Sequence, residues 1–337
     1  MKKIPCTTAL IGTLALASCG GADDERKLGP PPAPGPAPML EGSVQVGGSP
    51  AAVATGADGV WVADNLRGRL LKINPRARQV EQSARAGQGP VAVAVGAGAV
   101  WVAGADGTVR RYDTQTGIAT GEPERVPGAA GVAVGEGSVW VTSQSEGTVT
   151  QLDLATGRRR GRAIEVGPQP TDIAVGGGGV WVASSEQTNG TVSRIDPDSG
   201  EAGEPIAVAK GQVFALTYGE DGVWVAASDE LRGDQIEVTR IDPDSSEPEG
   251  DFVRLERSGL PVRLAAGAGG VWVAQGGGAG ISAGAGSGTL ARLDPDKRQR
   301  IGSVTRLPGA PTGISVGEGA VWVAIGGDGA VSEIVPY

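Results

Sequence analysis

Residues 170–208 read PTDIAVGGGGVWVASSEQTNGTVSRIDPDSGEAGEPIAV, four short runs of strand-forming residues separated by turns. Pro170-Thr171-Asp172-Ile173-Ala174-Val175 is the first run, and Gly176 to Gly179 a tight reversal leading into Val180-Trp181-Val182-Ala183. After a loop, Thr191-Val192-Ser193-Arg194-Ile195-Asp196 forms the third, Pro197-Asp198-Ser199-Gly200 a turn, and Pro205-Ile206-Ala207-Val208 the fourth. β-Branched residues fill the runs. Gly, Pro, Asp and Ser stand where a reversal needs a positive φ, a fixed φ or a side chain that bonds its own backbone. The unit predicts four antiparallel strands, and its second strand is apolar throughout, as a strand covered on both faces should be.

The unit repeats along the chain. Trp occurs at 61, 101, 140, 181, 224, 272 and 322, six times within Val-Trp-Val-Ala and once, at 140, within Val-Trp-Val-Thr, with spacings of 40, 39, 41, 43, 48 and 50. Helical repeats would carry Leu and Ala at 3.6-residue spacing and little internal glycine, so a period of about 40 predicts four-stranded blades. The seventh repeat stops at its third strand, Val331-Ser332-Glu333-Ile334-Val335. Ahead of the first repeat, Ser43-Val44-Gln45-Val46-Gly47 matches the outer strand Ala163-Ile164-Glu165-Val166-Gly167 of the third. The expectation is an all-β, seven-bladed β-propeller over residues 43–337, with four-stranded antiparallel blades. The N-terminal strand would complete the last blade, removing the sheet edges at the joint. The aligned tryptophans are expected to be inter-blade core rather than a ligand cage.

Composition narrows the function. With 58 Gly and 23 Pro among 337 residues but no Gly-X-Y period, and with 39% hydrophobic residues, the chain is neither collagen-like nor wholly disordered. A net charge of -9 has the wrong sign for neutralising phosphates, so no nucleic-acid partner is expected. There is no His. That removes Ser-His-Asp triads, Cys-His pairs and His-zinc sites.

The first 42 residues read as an address. Lys2 and Lys3 precede an uncharged stretch from Ile4 to Ser18, which matches a signal peptide and is short for a permanent span of ~20 apolar residues. Leu16-Ala17-Ser18-Cys19 resembles the lipobox of bacterial lipoproteins, which implies cleavage before Cys19 and acylation of that residue. Residues 1–18 are thus expected to be removed, and Cys6 with them, leaving no pair of cysteines for an internal disulfide. Losing Lys2 and Lys3 would take the net charge from -9 to -11, so attachment to an anionic membrane would rest on the acyl chains. Residues 19–42, which include Gly29-Pro30-Pro31-Pro32-Ala33-Pro34-Gly35-Pro36-Ala37-Pro38, are expected to be a semi-rigid tether.

GTVSRIDPDSG at 190–200 and EVGPQPTDIAVG at 165–176, together with the Val-Trp-Val-Ala strand, resemble the YVTN-type repeats of bacterial surface propellers and the repeats of streptogramin-lyase-like proteins. The resemblance covers residues 43–337 and speaks to architecture more than to chemistry. It implies, for a lyase, a histidine acid/base working with magnesium, and this sequence has no His to offer.

Two features place a candidate site. From each Trp to the residue ending the third strand (Asn74, Asp113, Asp153, Asp196, Asp242, Asp294, Val335) the distances are 13, 12, 13, 15, 18, 22 and 13. Insertions therefore fall in blades four, five and six, on the face of the blade-to-blade connections. They contain Glu186, then Asp229, Glu230, Arg232 and Asp234, then Gln275 and a Gly/Ala/Ser run to Gly288. The innermost strands also carry a column of small residues, Ala52, Ala92, Gly131, Ala215 and Gly313, broken by Asp172 and Arg263. These two would either pair with each other or orient an ionic ligand. The Asp-Pro-Asp sequences at 196–198, 242–244 and 294–296 lack the convergent oxygens of a calcium loop and read as turns. The expected function is a lipid-anchored, extracytoplasmic, non-enzymatic binding module of the cell envelope. It would be monomeric, without cofactor or resident metal, and would engage a protein, glycan or small ligand through the long-loop face. The alternative is a metal-dependent lactonase- or lyase-like enzyme, which would need Glu186, Asp229 or Asp234 to reach inward toward Asp172.

Overall fold

The computed structural model describes residues 38–56, 59–186, 189–228, 234–277 and 287–336. Within them lie seven four-stranded antiparallel sheets. The innermost strands of blades 1 to 7 are Pro50–Gly56, Pro90–Gly96, Ala129–Gly135, Pro170–Gly176, Val213–Gly219, Val262–Gly267 and Pro311–Gly317. Each is followed by a second strand carrying the Trp, a third strand and an outer strand. In blade 4 these are Gly179–Glu186, Asn189–Ile195 and Ile206–Ala209.

The blades adhere through one repeated contact. In Val-Trp-Val the indole points to one face of the sheet and the valines to the other, because side chains alternate along a strand. Trp61 packs in one cluster with Val100 and Val102 of the next blade, Trp101 with Val139 and Val141, and Trp140 with Val180 and Val182. Trp181 meets Val223 and Val225, Trp224 meets Val271 and Val273, and Trp272 meets Val321 and Val323. Trp322 closes the circle against Val60 and Val62 of blade 1. All seven indoles are fully buried. The second strands are buried on both faces, as their apolar runs predict.

The N-terminal strand completes blade 7, pairing with the third strand Ala330–Val335 so that Ser43 lies opposite Ser332 and Val44 opposite Val331. It spans Met39–Gln45, beginning four residues before the expected Ser43. The extension has a cause: Glu41 is held by Arg78 of blade 1 at 3.0 Å, and the Pro38 carbonyl accepts the Thr305 hydroxyl of blade 6 at 2.6 Å. Beyond the strand, the Val46 and Gly47 amides both donate to the Gly329 carbonyl at 2.9 and 2.8 Å. On the inner rim, Thr55 and Ser315 hydroxyls lie 2.9 Å apart and Thr312 donates to the Pro50 carbonyl, tying blade 7 to blade 1.

The loops after the second strands leave the sheets beside the blade-to-blade connections, as expected for antiparallel blades. Asn65 donates to the Ser49 carbonyl, Gln144 to Gly128, Ser228 to Gln212 and Gly276 to Pro261, each through backbone N–H groups. The described residues that flank the insertions of blades 4 to 6 therefore lie on the face where the innermost strands begin.

Candidate functional site

Ala52, Ala92, Gly131, Asp172, Ala215, Arg263 and Gly313 occupy one structural ring. Each pairs with the residue that ends the Val-Trp-Val run: Ala63, Ala103, Thr142, Ala183, Ala226, Ala274 and Ala324. Small residues dominate because the strands converge. A Cβ added to Gly313 would come within 3.0 Å of the Ala52 backbone.

The ring borders a central cavity of about 220 Å³ lined by both Asp172 and Arg263. In six blades a bulge interrupts the ladder immediately before the ring residue. The residues skipped there, Ala51, Val91, Ala130, Thr171, Phe214 and Thr312, all line the same cavity, since a bulge re-aims the extra side chain. Blade 6 has no such bulge, and Val262 and Arg263 pair in unbroken register. The aromatic Phe214, on the blade between Asp172 and Arg263, is a lining residue that the sequence reading passes over. Its signal was its place one residue before the ring position, where the other blades carry aliphatic or hydroxyl side chains.

Asp172 is fixed by two backbone donors. Its Oδ1 accepts the Ile173 N–H at 2.9 Å and its Oδ2 the Leu216 N–H of blade 5 at 3.0 Å. Arg263 donates through Nε to the Thr312 carbonyl of blade 7 at 2.8 Å and through Nη1 to the Val262 carbonyl at 3.0 Å. No nitrogen of Arg263 lies within 4.0 Å of an Asp172 oxygen, so the two are not an ion pair, although they feel each other's field. Burial pushes the Asp172 carboxyl above the ordinary carboxylate value, opposed by its two backbone bonds and by the positive charge of Arg263. Burial likewise lowers Arg263 below the ordinary guanidinium value, opposed by Asp172.

Of the remaining candidates, Gln275 and Asp234 both bond the connection between blades 5 and 6. Gln275 is buried and faces the connection between blades 5 and 6. Its Oε1 accepts the Ser258 N–H at 3.0 Å and its Nε2 donates to the Glu256 carbonyl at 3.4 Å, so its amide positions that connection. Asp234 is exposed and accepts the Arg257 N–H through its backbone carbonyl. Glu186 ends the second strand of blade 4 opposite Asn189, with its side chain outside the described set. Asp229, Glu230 and Arg232 lie outside the described residues. Arg257 of the connection stacks over the Phe214 ring at 5.4 Å. Among the described residues, no group of three acidic or cysteine side chains is placed to hold a metal ion. The first aspartates of the Asp-Pro-Asp sequences are turn formers: Asp196 Oδ1 accepts the N–H groups of Asp198 and Ser199, and Asp242 and Asp294 repeat the pattern.

No family model matches the chain. No curated protein matches it either. Solved structures do. Hydrazine synthase of Kuenenia stuttgartiensis superposes with a TM-score of 0.69 at 14% identity, covering 86% of this chain and 96% of that one. A streptogramin B lyase superposes at 0.66 with 17% identity over 88% and 97%. A catalytically inactive histidine-to-alanine variant of virginiamycin B lyase from Staphylococcus aureus, with quinupristin, gives 0.65 at 18% over 88% and 99%. At these identities the likeness is one of fold, and it supports the streptogramin-lyase-like propeller architecture of the repeats.

Proposed function

We propose that this chain is a binding propeller that recognises its ligand on the long-loop face, at the mouth of the central cavity. The observation that carries the reading is that Asp172 and Arg263 both line that cavity without closing on each other. A guanidinium has five N–H groups and a carboxylate about four acceptor directions. Two are used internally on each side chain, which leaves capacity on both for a guest. Two opposite charges kept apart in a confined cavity make a poor stabilising device and a good recognition device, because desolvation is offset only when something completes their bonds.

Histidine chemistry has no place here. A lyase of this fold is catalytically inactive once a histidine is replaced by alanine, and this chain has none. A cavity of about 220 Å³ also falls below the ~300–1,000 Å³ typical of sites for drug-sized ligands, so any larger guest would rest on the loops and send only a small polar group inside. The address fits a receptor role: cleavage before Cys19 and acylation of that residue would tether the propeller outside the cytoplasm, with residues 19–42 as the spacer.

A thermal-shift screen of polar solutes on the mature domain, followed by product analysis of every hit, tests the reading. The expected result is a raised melting temperature with the solute recovered unchanged, lost in Arg263→Gln. Turnover of a hit would establish the enzyme alternative. The anchor is tested separately by labelled fatty-acid incorporation in a bacterial host, expected in the natural sequence and absent from Cys19→Ser.

A further inference from the structure

The chemistry of the ligand can be carried one step further, resting on the reading of the cavity as a binding site. Asp172 stands on blade 4 and Arg263 on blade 6, with Phe214 of blade 5 between them in the sequence of blades around the same cavity. A simple anion drawn to Arg263 would enter the repulsive field of Asp172, and a simple cation drawn to Asp172 would meet that of Arg263. Both side chains are anchored by backbone bonds on two different blades, so neither can swing aside without breaking them. The gap between them exceeds the 4.0 Å of an ion pair, and both line a cavity of about 220 Å³, the space that a guest carrying both charges would occupy.

We infer that the cavity takes a small zwitterion, such as an amino acid, with its carboxylate on the Arg263 guanidinium and its ammonium on the Asp172 carboxylate. Charge-assisted hydrogen bonds at both ends are the strong kind, and a guanidinium suits a carboxylate in particular. Phe214, which lines the cavity and carries Arg257 over its ring at 5.4 Å, offers apolar contact to a short aliphatic stem. The small volume limits the stem to a few carbons.

Isothermal titration of the mature domain with alanine, β-alanine and γ-aminobutyrate, against propionate and ethylamine, tests the inference. The zwitterions differ in charge separation, and the last two carry one charge each. At least one zwitterion should bind, with the singly charged analogues about 10- to 100-fold weaker. Arg263→Gln and Asp172→Asn, each checked for an intact melting transition, should weaken the zwitterion while narrowing its advantage over the analogue that lacks the corresponding charge. Equal affinity for propionate or ethylamine and the zwitterions would overturn the inference and leave the cavity standing as a binding site. Absence of heat from every probe up to about 10 mM, with hits from the polar-solute screen that carry no paired charges, would overturn it in the same way. Absence of any ligand in both experiments would overturn the binding reading as well.

Discussion

Asp172 places a carboxylate in the wall of a narrow cavity. Burial raises the Asp172 carboxyl above its ordinary value of 3.8, so between those two values the folded protein holds a proton there that the unfolded chain has released. Its contribution to stability is therefore fullest below 3.8 and declines as pH rises through the raised value. Asp172→Asn cannot ionise. The stability of the variant relative to the natural protein should be greater at neutral pH than below 3.8, as read from urea midpoints across that range. A pH-independent difference would mean that burial does not disfavour the charged form. Asp172 and Arg263 were legible because they break a column of small residues. That they remain unpaired was not, because pairing depends on distances across the ring.

At the level of the strand, a second repeated device ties the blades together. The residue opposite each Trp on the third strand is Lys72, Arg111, Gln151, Arg194, Arg240, Arg292 or Glu333. The five cations lie over their indoles at 5.3–6.0 Å. Several also reach the neighbouring blade: Lys72 donates to the Thr114 carbonyl, Arg111 to that of Ala155, and Arg194 to the Ser246 hydroxyl. In blade 7 the place belongs to Glu333, which takes Arg78 of blade 1 at 2.7 Å instead. Arg240 joins stacking on Trp224 to an ion pair with Glu249 at 2.7 Å, and Arg298 of blade 6 holds the same carboxylate at 2.8 Å. Arg240→Ala should cost about 1–2 kcal/mol by urea unfolding, and Arg240→Lys less, since a lysine keeps the charge but not the planar stack. Identical losses would assign the effect to the planar guanidinium, and an unchanged midpoint in Arg240→Lys would assign it to charge alone. The five cations were present in the sequence two residues before the third-strand ends, but among the other polar residues of those strands they give no hint of their indoles until the strands are paired.

The molecule as a whole depends on its closing seam. Val44 and Val46 are buried in the cluster around Trp322, and the outer strand covers the edge of Ala330–Val335. A chain beginning at Pro38 should unfold at the same urea midpoint as the longer protein. One beginning at Gly47 loses two valines from the core and exposes a strand edge. It should be destabilised by at least about 3 kcal/mol and associate with itself in size-exclusion chromatography. Equal midpoints for the two truncations would mean that the ring closes without its N-terminal strand.

The number of blades, the strand order within each, the interfacial tryptophans and the closure by the N-terminal strand were determined by the sequence alone. Each is encoded locally, by turn residues, by β-branched runs and by a period that recurs in every copy. What only the tertiary structure decided are the relations across the ring. Gln275 turns toward the Glu256–Ser258 connection, the bulges of six blades bring Phe214 and its counterparts to the cavity, and Asp172 and Arg263 face the same space without meeting. Those outcomes follow from the spacing of strands that seven inter-blade packings set together, a quantity that no single repeat contains.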